Sequence, residues 1–414
     1  MDIKDRETRI KNSVEHLPRD NKDDETFTVI DLFSGCGGFS QGFIKAGFEV
    51  IVASEIWEPA IESYKKNHPG APVISGDITL PEMKKQLYNI VGDKKVNVII
   101  GGPPCQGYSV AGNRNPEDPR GQLYLDFAEI IDQIQPDFFV MENVKGLLHM
   151  KHVSPNLSDE ELQDFKEDCT KLQRYKDLKR YGAQRALSND ENSEFLELKN
   201  NLRRYKKDID EKLVPLVDKI MKKFQSNNYK VKWKVLNAAD YGVPQTRERI
   251  IFIGTKHENI DLSFPLETHS KTPNLSPQKK AKKWRDVEET LLKYETWQEE
   301  PHKNHIFTKH SEKFINKLKA TAIGDNVYKN YSDAWWRLDP NKPARTVKEN
   351  HGGVFVHYKF DRVLTPRELA ALQSFDDNFE FKGTKSSILK QIGNAVPPML
   401  AKVLANHLKC YLKQ

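Results

Sequence analysis

The residues best suited to chemistry sit in three short segments, each at one end of an apolar run. Gly101-Gly102-Pro103-Pro104-Cys105-Gln106-Gly107-Tyr108-Ser109 directly follows the run Val96 to Ile100. A cysteine stiffened by two prolines at the end of a strand is placed to act as a thiolate nucleophile, although a buried cysteine in a turn is the ordinary alternative for a cysteine taken at random. A second run, Phe138 to Met141, delivers Glu142-Asn143-Val144, and a third, Arg249 to Ile253, is preceded by Gln245-Thr246-Arg247-Glu248. If the three runs share a sheet edge, one thiol, one carboxyl group and two guanidinium groups, Arg247 and Arg249, converge there. For Arg249 a salt bridge to a neighbouring carboxylate is as good a reading as contact with a substrate.

A fourth segment, Asp31-Leu32-Phe33-Ser34-Gly35-Cys36-Gly37-Gly38, is a strand end, a glycine turn and the start of a helix. Glycine lets backbone approach a ligand closely at a helix N-terminus. The spacing is not the Gly-x-Gly-x-x-Gly of a dinucleotide site, which argues against a nicotinamide oxidoreductase. Acidic residues follow later strands as Glu55, placed for ribose hydroxyls, and Asp77, placed for an adenine amino group. Either acid alone is more simply a surface turn.

The elements that must position these residues alternate in type. Thr28 to Phe33, Glu49 to Ala53, Val96 to Ile100 and Asp137 to Met141 read as buried strands; Pro59 to Lys66 and the stripe Leu123, Phe127, Ile130, Ile131, Ile134 read as helices. That alternation predicts an α/β fold, a parallel sheet covered by helices on both faces with ligands at the carboxyl ends of its strands. From about residue 150 to 212 charged residues dominate, predicting an exposed helical hairpin whose charges are a solvated face. An irregular stretch from Lys256 predicts a second domain, and a last helix carrying Val396, Leu400, Val403, Leu404 and Leu408 is expected to return to the first sheet. Residues 1–25 read as a loosely held leader. At 414 residues, with 30% charged and a net charge of +6, the chain is expected to be a two-domain intracellular protein without a membrane span; it permits a polyanionic partner without requiring one. The cysteines, Cys36, Cys105, Cys169 and Cys410, have neither metal-type spacing nor a disulfide pattern.

The ordered set of segments resembles the bacterial cytosine-5 DNA methyltransferases. The likeness continues near the end through Ala344-Arg345-Thr346-Val347, Gly352-Gly353, Leu364-Thr365-Pro366-Arg367-Glu368-Leu369 and Gln391-Ile392-Gly393-Asn394-Ala395-Val396. The resemblance implies a Rossmann-like S-adenosylmethionine-dependent methyltransferase sheet over 1–256, the charged insertion within it, a smaller irregular target-recognition domain over 257–383, and a segment 384–414 completing the catalytic domain. It implies Cys105 as nucleophile towards carbon 6 of a flipped cytosine, Glu142 at ring nitrogen 3, and Arg247 in the base pocket in preference to Arg249. Cofactor contacts are implied for Phe33, Ser34, Gly35, Gly37, Gly38, Glu55, Ile56, Asp77, Ile78, Pro104, Leu123, Asn394 and Ala395. DNA contacts are implied for Gln106, Ser109, Arg120 and Thr346, with 112–120 as a closing loop. Where the family often has Trp after the ribose acid, this chain has Ile56 and then Trp57. Duplex DNA is the expected substrate and a restriction endonuclease the expected companion, for a monomer in the bacterial cytoplasm. The rivals are a cytosine-5 transfer RNA methyltransferase on the same fold and a silent DNA-binding protein; an intact set of Cys105, Glu142 and Arg247 disfavours the second.

Overall fold

A computed structural model describes residues 26–104, 123–154, 156–275, 281–329, 335–348 and 355–413; the expected leader lies outside them. The chain alternates β1 (Thr28–Leu32), α1 (Gly38–Lys45), β2 (Glu49–Glu55), α2 (Glu58–Asn67), β3 (Val73–Ser75), α3 (Pro81–Val91), β4 (Val98–Gly101), α4 (Leu123–Ile134) and β5 (Phe138–Val144). A short ribbon, β6 (Lys151–Val153) with β7 (Leu213–Pro215), brackets two long helices, α5 (Asp159–Gly182) and α6 (Asn189–Glu211). After α7 (Leu216–Ser226) come β8 (Lys230–Asn237) and β9 (Glu248–Thr255).

The main sheet has the order β3-β2-β1-β4-β5-β9-β8. Its first five strands are parallel, and β1 has β2 on one side and β4 on the other, which makes the crevice where α/β sheets bind ligands. Successive side chains go to opposite faces. Ile30, Ile99, Phe139 and Met141 meet α3, α4 and α7 through Leu87, Phe127 and Phe224. Val29, Val98, Phe138 and Val140 meet α1 and a C-terminal helix through Phe43, Leu400 and Leu404. The sheet is therefore buried on both faces, as the continuous apolar runs require.

One strand departs from the expected parallel sheet. β9 runs antiparallel to both neighbours, with Val144 opposite Arg249. The residues that begin β9, rather than those that end it, therefore lie at the carboxyl edge of β5.

Beyond β9 the chain forms few regular elements: α8 (Val287–Leu291), α9 (Glu312–Ala320), α10 (Pro366–Leu372), α11 (Lys385–Asn394) and α12 (Pro398–Leu412). Val287, Tyr294, Leu338, Phe355, Leu372, Phe375 and Ile392 share a third core that also takes in Cys36. The last helix, α12, returns to α1 at Gly42, where a Cβ would lie 2.3 Å from that of Ala401. Glycine is what allows the two backbones to meet there.

Candidate active site

Glu142 is held in the middle of the sheet edge and is buried. It sits on β5 opposite Ile251 of β9, and Val144 sits opposite Arg249, so Glu142 and Arg249 are diagonal partners on one face, within reach of long side chains. Arg249 Nε lies 2.8 Å from Glu142 Oε1. The contact is a buried ion pair in which the carboxylate holds the guanidinium by charge and by hydrogen bonding. Burial lowers the Arg249 guanidinium from its usual value, and the neighbouring carboxylate opposes that shift. Gly102 completes the surroundings: a Cβ there would be 3.3 Å from Glu142 Oε2. Asn143 Nδ2 donates to the Pro103 carbonyl at 2.9 Å, which ties the end of β4 to β5. Pro104 follows and is exposed. Cys105, Gln106, Ser109, Arg120 and the expected closing loop at 112–120 lie outside the described residues.

The two arginines of the run take different places. Arg247 is 1% exposed. Its guanidinium donates to the carbonyls of Val347, Gly393 and Ala395 at 3.0, 2.9 and 3.1 Å. Burial, and then repulsion from Arg249, push its pKa well below the ordinary value. A guanidinium whose two terminal nitrogens meet main-chain acceptors fastens the sheet to the C-terminal segment. Gln245 extends the same joint, donating to Leu372 O and Gln373 Oε1 and accepting from Val347 N. The reason for polar residues before β9 is thus partly mechanical, which the sequence pattern did not distinguish.

A cavity of about 740 Å³ opens beside this edge, lined by Lys145, Arg249, Trp336, Arg345, Thr346 and Lys348 among others. Arg345 lies over the Trp336 ring at 3.6 Å. Among the described residues no carboxylate except that of Glu248 lines it, and Glu248 is paired with Lys145 at 2.9 Å. Such a wall suits a polyanion. Thr346, expected at a phosphate, donates its hydroxyl to the Thr246 carbonyl at 2.7 Å, so its proton is already engaged. Asn394 is exposed and lines this cavity. Trp336 and Arg345 were not among the expected site residues; only a tryptophan pair ahead of the Ala-Arg-Thr run hinted at them.

The glycine turn lies on the other side of the β1 crevice. Phe33, Gly35 and Gly37 all have positive φ, at 56°, 55° and 93°. The three glycines differ in purpose. A Cβ on Gly35 would meet nothing within 4 Å, so this residue opens onto free space. On Gly37 it would strike His68 Nε2 at 2.4 Å, and on Gly38 the Val396 carbonyl at 2.5 Å; these two make room for protein. Ala395 also abuts Gly38, at 3.3 Å from that Cβ position. Ser34 is tied to Ser54 by its backbone N–H and its hydroxyl.

Glu55 closes the turn. It accepts from Gly35 N at 2.8 Å, Ile56 N at 3.0 Å and Trp57 N at 2.9 Å, leaving about one of its four lone-pair directions for a ligand. Ile56 is 65% exposed, an apolar side chain offered to solvent beside the turn. Trp57 instead stacks under Lys390, 4.8 Å from the ring. Asp77 neighbours Glu55 because Gly76 N donates to the Glu55 carbonyl, and its Oδ1 accepts from Thr79. Ile78 is buried in the core under β2. Leu123 is half-buried at the start of α4. Asp31, one strand residue before the turn, is buried with its pKa raised to about 7 by desolvation, although Ser40 donates to it.

Residues 27–176 and 195–410 match the family model of the C-5 cytosine-specific DNA methylases. The chain is 31% identical to the Type II methyltransferase M.DdeI of Desulfomicrobium norvegicum, over 93% of this chain and 89% of that protein. It is 33% identical to the Type II methyltransferase M1.HphI of Haemophilus parahaemolyticus, over 92% and 86%. Its fold is similar to that of a prophage-encoded E. coli protein described as a DNA modification methyltransferase, with a TM-score of 0.61, 25% identity, and coverage of 94% of this chain and all of that one. The S. pombe Dnmt2 methyltransferase shares the fold at 15% identity, a TM-score of 0.56 and coverage of 94% of this chain and 100% of that one. With the sheet, the glycine turn and the Glu142 edge in place, these matches show that the chain belongs to the C-5 cytosine-specific DNA methylase family and is a DNA cytosine methyltransferase.

Proposed function

We propose that the chain methylates carbon 5 of a cytosine flipped out of duplex DNA, using Cys105 as nucleophile and Glu142 as the acid that holds the ring. The observation carrying this reading is the buried Glu142 at the carboxyl edge of β5, ion-paired with Arg249 at 2.8 Å and facing Gly102 of the segment that leads to Cys105. A buried carboxylate held by a cation on one side is satisfied fully when a ligand brings a donor to its other lone pairs. A protonated ring nitrogen or an exocyclic amino group is such a donor.

In this reading the Cys105 thiolate adds to carbon 6, the S–C6 bond forms, and electron density moves into the ring towards nitrogen 3. Glu142 shares a proton with nitrogen 3, and Arg249 stabilises the carboxylate and the charge building beside it. After methylation, a water molecule takes the carbon 5 proton, the S–C6 bond breaks to release the thiolate, and nitrogen 3 returns its proton to Glu142, which restores the aromatic ring. Both faces of the ring must be reached, so the base has to leave the stack. The wall of Lys145, Arg345 and Lys348 suits the phosphates on either side.

The glycine turn fits S-adenosylmethionine. Gly35 leaves room for it, Glu55 keeps an acceptor site for ribose, Asp77 offers a carboxylate to the adenine amino group, and exposed Ile56 offers an apolar face to the purine. When bound, that group supplies the electrophilic methyl which carbon 5 takes. Named Type II relatives support a role beside a restriction endonuclease in a bacterial cytoplasm. No helix among the described residues is long and apolar enough to cross a membrane.

Bisulfite mapping of DNA from cells expressing the chain tests the reading. Modified cytosines in one fixed sequence context, absent with Cys105→Ala, are expected. Unmodified DNA together with methylated transfer RNA would overturn it.

A further inference from the structure

We propose that the helical arm of α5 and α6 is a second DNA-contacting surface, with Lys199, Arg203 and Lys206 meeting backbone phosphates of the duplex that flanks the reaction site. This rests on the reading above that duplex DNA occupies the basic cavity.

The arm is rooted at the rim of that cavity. Lys145 and Gly146 line the cavity, and β6 begins at Lys151, a few residues further along. The two ends of the arm are then clamped together by Lys151 pairing with Pro215, His152 with Val214 and Val153 with Leu213. Because β5 ends and α7 begins at the carboxyl edge of the sheet, the arm springs from the ligand-binding side of the molecule.

It is a strut and not a loose loop. Leu178, Leu198 and Tyr205 form a core of their own. Tyr175 and Phe195 stack at 5.3 Å, and both helices begin with a capping box, Ser158 with Glu161 and Ser188 with Glu191. The 24 residues of α5 span about 36 Å, comparable to about 10 base pairs of duplex. The family match stops at residue 176 and resumes at 195, so the tip that sets the reach lies outside what the family model describes.

The charges on the arm are sorted. On α6 the residues Phe195, Leu198 and Tyr205 face α5, and Lys199, Arg203 and Lys206, all exposed, lie together on the flank beside them. That spacing puts three cations on one flank within about 11 Å. Most other cations of the arm are paired: Lys171 with Glu167, Arg174 with Glu194, Arg180 with Asp177, Arg185 with Glu191, Lys207 with Glu211 and Lys212 with Asp164. Lys199, Arg203 and Lys206 have no ion pair among the described residues. The opposite flank of α6 carries Glu197 and Asp208 with Arg204 between them, and Asp210, at the base of the cationic flank, is paired with Lys151. A stripe of cations without ion pairs among the described residues, starting from the rim of a basic cavity, is complementary to a phosphate backbone.

The test is binding of random-sequence duplexes of two lengths, about 12 and about 40 base pairs, followed by fluorescence anisotropy between about 50 and 200 mM salt. The short duplex reports the cavity alone and so tests the reading above; the difference between lengths reports the arm. For Lys199→Gln/Arg203→Gln/Lys206→Gln, with helix content checked by circular dichroism, affinity for the long duplex should fall at least tenfold at the lowest salt. The slope of log K against log salt should shrink by about 2 to 3, as expected for the loss of three phosphate contacts. Short-duplex binding should be unchanged, and Glu197→Gln/Asp208→Asn should not reduce the slope. Equal effects on both lengths, or none on the long one, would overturn the proposal.

Discussion

Glu142 and Arg249 face each other at 2.8 Å across the only antiparallel neighbour of β5. The pair exists because β9 enters the sheet backwards, which delivers an arginine at the start of one strand to a carboxylate near the end of another. We expect Arg249→Lys to keep the fold but to lower kcat by about 10- to 100-fold, since a point charge replaces a guanidinium beside a buried carboxylate. Single-turnover methyl transfer, with DNA affinity measured alongside, checks it; an equal loss of affinity would assign Arg249 to binding instead.

Arg247 should behave differently. Its two terminal nitrogens donate to three main-chain carbonyls, so Arg247→Met removes buried charge-assisted hydrogen bonds and should cost about 3 kcal/mol or more of stability. Thermal or urea unfolding measures this. A variant with unaltered stability but no activity would return Arg247 to the base pocket.

The glycine turn separates packing from ligand approach. Gly37→Ala meets His68 at 2.4 Å with φ at 93° and should destabilise the protein by about 1–3 kcal/mol. Gly35→Ala finds open space, costs only backbone strain of about 1 kcal/mol, and should weaken adenosyl ligand binding more than it lowers the melting temperature. Calorimetric titration beside unfolding curves distinguishes the two.

Asp31 makes stability depend on pH. Its folded pKa is raised from 3.8 to about 7, so between those values the folded state binds more protons than the unfolded one and stability falls as pH rises. The stability difference between Asp31→Asn and the parent should therefore move in favour of the variant from about pH 4 to about pH 7 and then level off. A difference that is flat across this range would mean that Asp31 titrates normally.

Much of this was legible in the sequence, and the exceptions have physical causes. Apolar runs such as Val96 to Ile100 and Phe138 to Met141, short and alternating with helical stripes, read as buried strands, so the sheet and its loaded edge followed. Pattern alone does not give strand direction, which is why the antiparallel β9 was not anticipated. Nor does a Gln-Thr-Arg-Glu-Arg run say which arginine turns inward; that depends on which one meets the carbonyls of Val347 and Gly393. The glycines of the turn look equivalent in sequence because their differences lie in His68 and Val396, distant along the chain. Trp336 and Arg345 needed the irregular region to fold before their stacking existed.

The most direct measurement of the central claim is covalent trapping. Duplex DNA bearing 5-fluorocytosine in the mapped site, incubated with protein and S-adenosylmethionine, should give a complex that survives denaturing electrophoresis, because fluorine cannot depart as the carbon 5 proton does. Cys105→Ala should give none. A denaturant-resistant complex formed by Cys105→Ala, or its absence with the unsubstituted protein on DNA it demonstrably methylates, would contradict the account.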